Sequence, residues 1–150
     1  MPLIHLETLI AAPAERCFDL MRDVEAHTRT TGSSNERAVG GKTTGLLGEG
    51  DEVTWEARHF GRTQRLTARV THYERPRLFV DEQVRGAFAS FTHRHEFRAT
   101  TEGTLMVDDF RYRSPLGPLG WLADRLFLER YMRGFLRERA RGLKELAEGR

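Results

Sequence analysis

The feature that most constrains the fold is a run of alternating apolar and polar residues from residue 51 to residue 113. Side chains alternate between the two faces of a β-strand, so a period of two indicates strands with one apolar face. Turn residues divide the run into five segments: DEVTWEARHF, TQRLTARVTHY, RLFVDEQVR, AFASFTHRHEF and TLMVDDFRYR. The sequence therefore predicts five consecutive antiparallel strands.

The turn in the first hairpin sets its expected register. A two-residue turn at Gly61-Arg62 pairs Phe60 with Thr63, and Trp55 then lies opposite Ala68. The apolar residues of both strands fall on one face in this register.

The last hairpin carries the most unusual side chains. A Glu102-Gly103 turn places His95 opposite Phe110 and leaves Asp108 diagonal to His95. One face of this hairpin is then apolar apart from a few ionisable groups, and it carries Phe91, His93, His95, Phe97, Met106, Asp108, Phe110 and Tyr112. We expect this face to look inward.

Shorter elements precede the run, and a helix follows it. Residues 3–10 suit a first strand, and Pro13 opens a short helical pattern. Residues 32–50 include six glycines, which favours irregular backbone or an edge strand. After Pro115 the period becomes helical, and a helix of roughly 30 residues is expected from the spacing of Leu119, Leu122, Leu126, Met132, Leu136, Leu143 and Ala147.

Length and charge limit the class of protein. A chain of 150 residues with 39% hydrophobic content supports one core, so we expect a single domain over residues 1–150. The net charge of +2 gives little reason to expect nucleic-acid binding. No stretch is long enough for stable membrane insertion, and a single cysteine, Cys17, excludes an intrachain disulfide, so we expect a cytoplasmic protein.

The arginines of the C-terminal helix have acidic residues among them. Asp124, Glu129, Glu138 and Glu145 interrupt the basic run, and several stand four residues from an arginine. We therefore expect a solvated, salt-bridged face that carries Arg125, Arg130, Arg133, Arg137, Arg139 and Arg141.

The order of elements resembles the α+β helix-grip fold of the START and Bet v 1-like (SRPBCC) superfamily. Within it, four segments resemble a bacterial polyketide-cyclase-like ligand-binding group: GDEVTWEARHFG, VDEQVRG, THRHEF and YRSPLGPLG. The resemblance implies a curved antiparallel sheet of about seven strands wrapped on a long C-terminal helix, with two short helices after strand 1. It also implies a cavity for a hydrophobic small molecule or lipid, but it carries over no catalytic residue.

The histidines allow two chemical interpretations. His93 and His95 on one strand face could bind zinc if His59, Glu82 or Asp108 supplied a third ligand. A histidine beside an acid is more often a hydrogen-bonded pair, so we expect no metal and no cofactor. Such a polar strip on an apolar wall would orient a ligand or perform acid–base chemistry, which makes His93, His95 and Asp108 the catalytic candidates.

The expected ligand-binding residues combine this strip with nearby aromatic rings. They are Trp55, His59, Glu82, Phe91, His93, His95, Phe97, Asp108, Phe110 and Tyr112. The leading hypothesis is a carrier or sensor of a hydrophobic molecule. The alternatives are a cyclase, dehydratase or hydrolase acting on a polyketide-like or aromatic carbonyl compound, and a regulatory protein-interaction module with an apolar patch at residues 116–121. A homodimer is compatible with all three.

Overall fold

The described residues fold into one antiparallel sheet and four helices. The computed structural model describes residues 2–32, 34–114, 117–123 and 127–149, with the backbone alone at 120, 121 and 123. The strands are β1 Leu3–Ile10, β2 Arg37–Gly41, β3 Glu52–His59, β4 Arg62–Glu74, β5 Leu78–Arg85, β6 Ser90–Thr100 and β7 Gly103–Arg113. The helices are α1 Ala14–Met21, α2 Val24–Arg29, α3 Gly117–Ala123 and α4 Glu129–Ala147.

The seven strands lie in the order β1-β7-β6-β5-β4-β3-β2, with every neighbouring pair antiparallel. The glycine-rich segment contributes β2, which forms one edge of the sheet. Two short helices follow β1, and α4 packs against the inner face. The predicted α+β architecture is confirmed.

The first hairpin corrects the predicted register. Its turn consists of Phe60 and Gly61, with φ values of 52° and 73°, rather than Gly61 and Arg62. Positive φ at both central positions gives a turn whose twist matches that of the strands, and glycine adopts it readily. Trp55 consequently pairs with Leu66 instead of Ala68. The shift is two residues, so the same side chains still face inward.

The last hairpin is shifted in the same way. Thr100 pairs with Gly103, so Glu102-Gly103 is not the turn. Gly103 has a φ of 141°, and a Cβ at this position would lie 2.1 Å from the carbonyl oxygen of Ile10. Glycine is therefore needed where the chain passes close to the end of β1. As a result, His95 lies directly opposite Asp108, which changes the chemistry of the inner face.

The core consists of two groups of buried side chains. In the first, the ring of Phe18 packs edge-on against Phe79 and Phe97, with ring centroids 5.2 and 5.4 Å apart. In the second, rings from β6 and β7 pack against Met132 and Leu136 of α4. Helix α4 therefore closes the concave side of the sheet.

Within the described residues, the C-terminal helix is shorter than the roughly 30 residues predicted. Helix α4 has 19 residues, about 28 Å, and α3 is a separate helix. The buried stripe lies on α4, on Met132, Leu136, Leu143 and Ala147, whereas Leu119 and Leu122 are 73% and 50% exposed. Apolar spacing predicts a helix but not which surface its stripe meets, so α3 is helical as predicted although these two side chains are exposed.

Two predictions concern apolar surface, one at residues 116–121 and one about membrane insertion. Within residues 116–121, Leu119 is exposed, while Leu116 and the side chain of Trp121 lie outside the described part of the chain, as does Leu126. Among the described helices, none is both long and apolar enough to cross a membrane.

Glycine substitutions test the importance of this backbone geometry. Gly103→Ala should lower the free energy of unfolding by more than about 2 kcal/mol, because the added Cβ collides with the backbone of Ile10. Gly134→Ala, on the exposed side of α4 with open space around it, should raise stability by roughly 0.5–1 kcal/mol. Urea unfolding of both variants measures the difference, and equal effects would contradict the close approach at Gly103.

Candidate functional site

A cavity of about 290 Å³ lies between the inner face of the sheet and α4. Its volume is near the lower limit for ligand sites, which suits a small molecule better than a two-chain lipid. Seven aromatic side chains form a large part of its wall: Trp55, Phe60, Phe88, Phe91, Phe110, Tyr131 and Phe135. Phe60 is 61% exposed, so this residue marks the side on which the cavity meets solvent.

Another part of the wall is polar and charged. Five elements or loops of the chain each contribute one side chain to it: His27, Glu36, Asp81, His93 and Arg139. These residues come from α2, the segment before β2, β5, β6 and α4. The cavity therefore has an aromatic wall and a charged end, as expected of a site that orients its ligand.

His93 and Asp81 are the two ends of a hydrogen-bonded chain, and both line the cavity. Nε2 of His93 lies 3.0 Å from Oδ1 of Asp108, and the same oxygen lies 3.1 Å from Nδ1 of His95. Nε2 of His95 is 3.2 Å from Oδ1 of Asp81. Among the described residues, none hydrogen-bonds Nδ1 of His93. The chain fixes the His93 ring by one nitrogen and leaves the other available to a ligand.

The four groups of this chain have different protonation preferences. Burial alone lowers the pKa of His95, but the charge of Asp81 and the hydrogen bonds to Asp108 and Asp81 outweigh it and raise that pKa. The pKa of His93 is lowered by burial and by the charge of His95. Burial opposes ionisation of Asp81, yet His95 lowers its pKa to about 2, and the two histidines also depress the pKa of Asp108. The arrangement therefore favours a charged His95 and a neutral His93.

A second histidine–carboxylate pair lies beside Trp55. Nε2 of His27 is 2.8 Å from Oε1 of Glu36, and the His27 ring stacks on Trp55 with centroids 3.9 Å apart. Burial, followed by the charge of Arg139, lowers the pKa of His27. The pair thus holds Trp55 in place and adds the negative charge of Glu36 to the cavity.

Arg139 is buried, contrary to its predicted place on a solvated helix face. It is 8% exposed, and its Nη2 donates one long hydrogen bond of 3.4 Å to the carbonyl oxygen of Met21. Its Nε is fully buried and has no partner among the described residues. Glu129 and Arg133 form a predicted i,i+4 ion pair at 3.5 Å, whereas Arg125 and Asp124 lie outside the described residues. Helical charge spacing could not distinguish Arg139 from its exposed neighbours.

The structure places half of the predicted ligand-binding residues on the cavity wall. These are Trp55, His59, Phe91, His93 and Phe110. At the rim, Nδ1 of His59 lies 2.5 Å from the hydroxyl oxygen of Tyr131. Whether any of them contacts a ligand stays a prediction.

The other five do not line the cavity. His95 and Asp108 lie behind His93, and Tyr112 and Phe97 are packed into the two core groups. Glu82 pairs with Thr92 on the outer face, where its Oε1 accepts a hydrogen bond from the Thr92 hydroxyl at 3.2 Å. Asp81, the residue before Glu82, lies on the cavity wall where Glu82 was expected.

The structure adds His27, Glu36, Asp81 and Arg139 to the site. Asp81 could have been found from the sequence, because it follows the buried Phe79 at the two-residue spacing of one strand face. Strand alternation gives no comparable signal for a residue on α2, in a loop or on α4.

Among the described residues, Asp81, His93 and His95 form a group that could bind a metal ion. One potential ligand atom from each lies within 4.8 Å of the others. A cation there would have to replace the hydrogen bond between His95 and Asp81. It would also share the cavity wall with the positive charge of Arg139, which opposes binding. The absence of a metal therefore stays a prediction, which elemental analysis of protein purified without chelators can test.

The histidine pKa values give a test of the hydrogen-bonded chain. His95 should keep its charge above pH 6.5, whereas His27 and His93 should become charged only below it. Protonated His95 thus stabilises the fold below pH 6.5, and this contribution is lost as the pH rises through its folded-state pKa. For His27 and His93 the sign is opposite, and stability falls as the pH drops below 6.5.

Carbon-13 NMR of labelled histidines, assigned with single His→Gln variants, measures these values. If His93 took up its second proton at a higher pH than His95, the assignment of the positive charge to His95 would be wrong.

Comparisons with known proteins identify the family and the fold. A family model described as "Polyketide cyclase / dehydrase and lipid transport" matches residues 1–148. The fold is similar to TTHA0849 from Thermus thermophilus, with a TM-score of 0.78, 22% identity and coverage of 96% of this chain and 95% of that one.

Two further solved structures share the fold. CV1439 from Chromobacterium violaceum has a TM-score of 0.75, 14% identity and coverage of 97% of this chain and 96% of that one. Ginseng major latex-like protein 151 from Panax ginseng has a TM-score of 0.67, 14% identity and coverage of 97% of both chains. No curated protein matches the sequence significantly. The chain belongs to the polyketide cyclase / dehydrase and lipid transport family, within the SRPBCC superfamily of START and Bet v 1-like folds.

Proposed function

We propose that this protein binds a small, largely aromatic molecule in the cavity between the sheet and α4, as a carrier or sensor. The observation that carries the proposal is the division of the cavity wall into seven aromatic side chains and a charged end. Apolar burial would supply most of the affinity, and the few polar groups would fix the orientation. The family description, which includes lipid transport, supports a hydrophobic ligand.

Blocking the cavity tests this proposal directly. Ala57 lines the wall and is 8% exposed, so Ala57→Trp should place an indole where the ligand binds. The affinity for the neutral fluorescent probe N-phenyl-1-naphthylamine should fall by about tenfold or more, because probe and side chain compete for the same volume. Fluorescence titration measures the affinity, and circular dichroism checks the fold.

The matched control is Arg58→Trp, since Arg58 is the exposed neighbour on the opposite face of β3. This variant should bind the probe as tightly as the wild type. Equal affinity in all three proteins would place the binding site outside the cavity.

A second candidate function is acid–base catalysis on a carbonyl compound. The specific observation in its favour is that His93 lines the cavity while its Nε2 is held by Asp108. A neutral imidazole with one nitrogen fixed by a carboxylate is the usual arrangement of a general base. His95, the other histidine candidate on this strand, is completely buried and therefore less suited to the role.

Asp108→Asn distinguishes a carrier from an enzyme. In a carrier, the affinity for a bound ligand should change by only about 1–2 kcal/mol, because Asp108 itself does not line the cavity. In an enzyme, turnover should fall by roughly a hundredfold or more with binding largely intact, because the His93 ring loses its orienting carboxylate. The control is Asp109→Asn, whose side chain bonds His5 on the outer face.

Native mass spectrometry can identify a ligand that co-purifies with the protein. Incubation of that ligand with the wild type and both variants, followed by product analysis, then gives the turnover comparison. Recovery of the ligand unchanged from the wild type would rule out the catalytic role.

A further inference from the structure

The buried guanidinium of Arg139 is the feature of the cavity that the protein's own hydrogen bonds explain least. Arginine carries five N–H donors. In the described part of the chain, one of them makes a single long bond, to the carbonyl oxygen of Met21, and Nε has no partner. Leaving donors without an acceptor is unfavourable. Nε is enclosed by protein, so the donor that a ligand in the cavity can reach is Nη1, which makes no hydrogen bond to a described residue.

Arg139 also makes no ion pair among the described residues, although two carboxylates share the cavity wall with it. Glu36 is bonded to His27, and Asp81 is bonded to His95. Both carboxylates are therefore occupied by histidines, and neither supplies the acceptor that the guanidinium lacks. The negative charges of both carboxylates still act on any ligand in the cavity.

The charge balance at this end determines what kind of acceptor fits. A ligand carboxylate near Arg139 would meet that positive charge but also the negative charges of Glu36 and Asp81 on the same wall. Behind the wall, the positive charge of His95 is offset by the carboxylate of Asp108. The ligand carboxylate would lose its hydration in addition, which is costly for a charged group. A neutral carbonyl oxygen accepts the same hydrogen bonds without either penalty. Its dipole is also favoured by a nearby cation.

We propose that Arg139 is the specificity-determining residue of the cavity and selects an aromatic ligand that carries a neutral carbonyl group. This inference rests on the proposed binding function and adds the chemical class of the ligand for the same site. The aromatic wall holds the rings, and the guanidinium of Arg139 donates to the carbonyl oxygen at the charged end.

Three naphthalene derivatives test the selection without any mutation. They differ only in one substituent: 2-acetylnaphthalene has a neutral carbonyl, 2-naphthoate a carboxylate and 2-ethylnaphthalene neither. The wild type should bind the ketone at least about tenfold more tightly than the carboxylate. Competition against N-phenyl-1-naphthylamine fluorescence at about pH 7.5, where the acid is fully ionised, measures the three affinities. Tighter binding of 2-naphthoate than of 2-acetylnaphthalene would overturn the proposal.

Arg139→Met then tests the residue itself. The affinity for the ketone should fall by about tenfold or more, the value of a hydrogen bond from a charged donor, while that for 2-ethylnaphthalene should change by less than about twofold. Arg137→Met is the matched control, because Arg137 is exposed on the same helix and does not line the cavity. It should leave all three affinities unchanged. An equal loss for ketone and hydrocarbon in Arg139→Met would contradict a role in carbonyl selection.

Arg139→Lys covers the case in which the methionine variant does not fold. It keeps the charge but loses the planar set of donors, so the preference for the ketone over the hydrocarbon should shrink. A full wild-type preference in this variant would refute the assignment. If the hydrocarbon binds and Ala57→Trp blocks it while the ketone shows no preference, the carbonyl inference alone fails. If none of the three compounds binds to the wild type, the proposed function fails with it.

Discussion

One buried carboxylate, that of Asp108, organises the inner face of the sheet. It accepts hydrogen bonds from His93 and His95, which are two residues apart on β6 and have their ring centroids 3.8 Å apart. Two histidines in such close contact could not both be charged in a buried site without strong repulsion. The carboxylate of Asp108 and that of Asp81 bond the two nitrogens of His95, and together they stabilise the positive charge on the His95 ring. His93, the histidine on the cavity wall, is therefore the neutral one.

Local pairing of buried charged groups also explains the rest of the charged end of the cavity. Each carboxylate on the wall is bonded to a histidine, Glu36 to His27 and Asp81 to His95, so the cost of burying it is offset locally. Arg139 is the exception, since its charge is balanced only at a distance. A site with one group left unmatched is suited to binding, because the ligand completes an interaction that folding leaves open. This is why carbonyl selection is inferred from the structure and not from the family, whose description covers both reactions and transport.

Much of the fold could be predicted because alternation needs no knowledge of neighbours. The apolar positions of β3, β4, β6 and β7 identify the inner face even when the pairing is wrong. Both hairpins were displaced by two residues, and an even displacement keeps every side chain on its face. The error nevertheless had a chemical consequence, because it placed Asp108 diagonal to His95 instead of directly opposite it. The Phe60-Gly61 turn and the close approach of Gly103 to Ile10 decided the register.

The sequence by itself determined which side chains face inward, including both histidines of β6, since strand period is a local property. Only the tertiary structure decided which of them reach the cavity. His93 lines it and His95 does not, because Phe79 of the adjacent strand stacks on the His95 ring at a centroid distance of 4.3 Å. Likewise, only packing against the sheet separates Arg139 from the exposed arginines of α4. Burial depends on residues far apart in the chain, and no periodicity within one element records it.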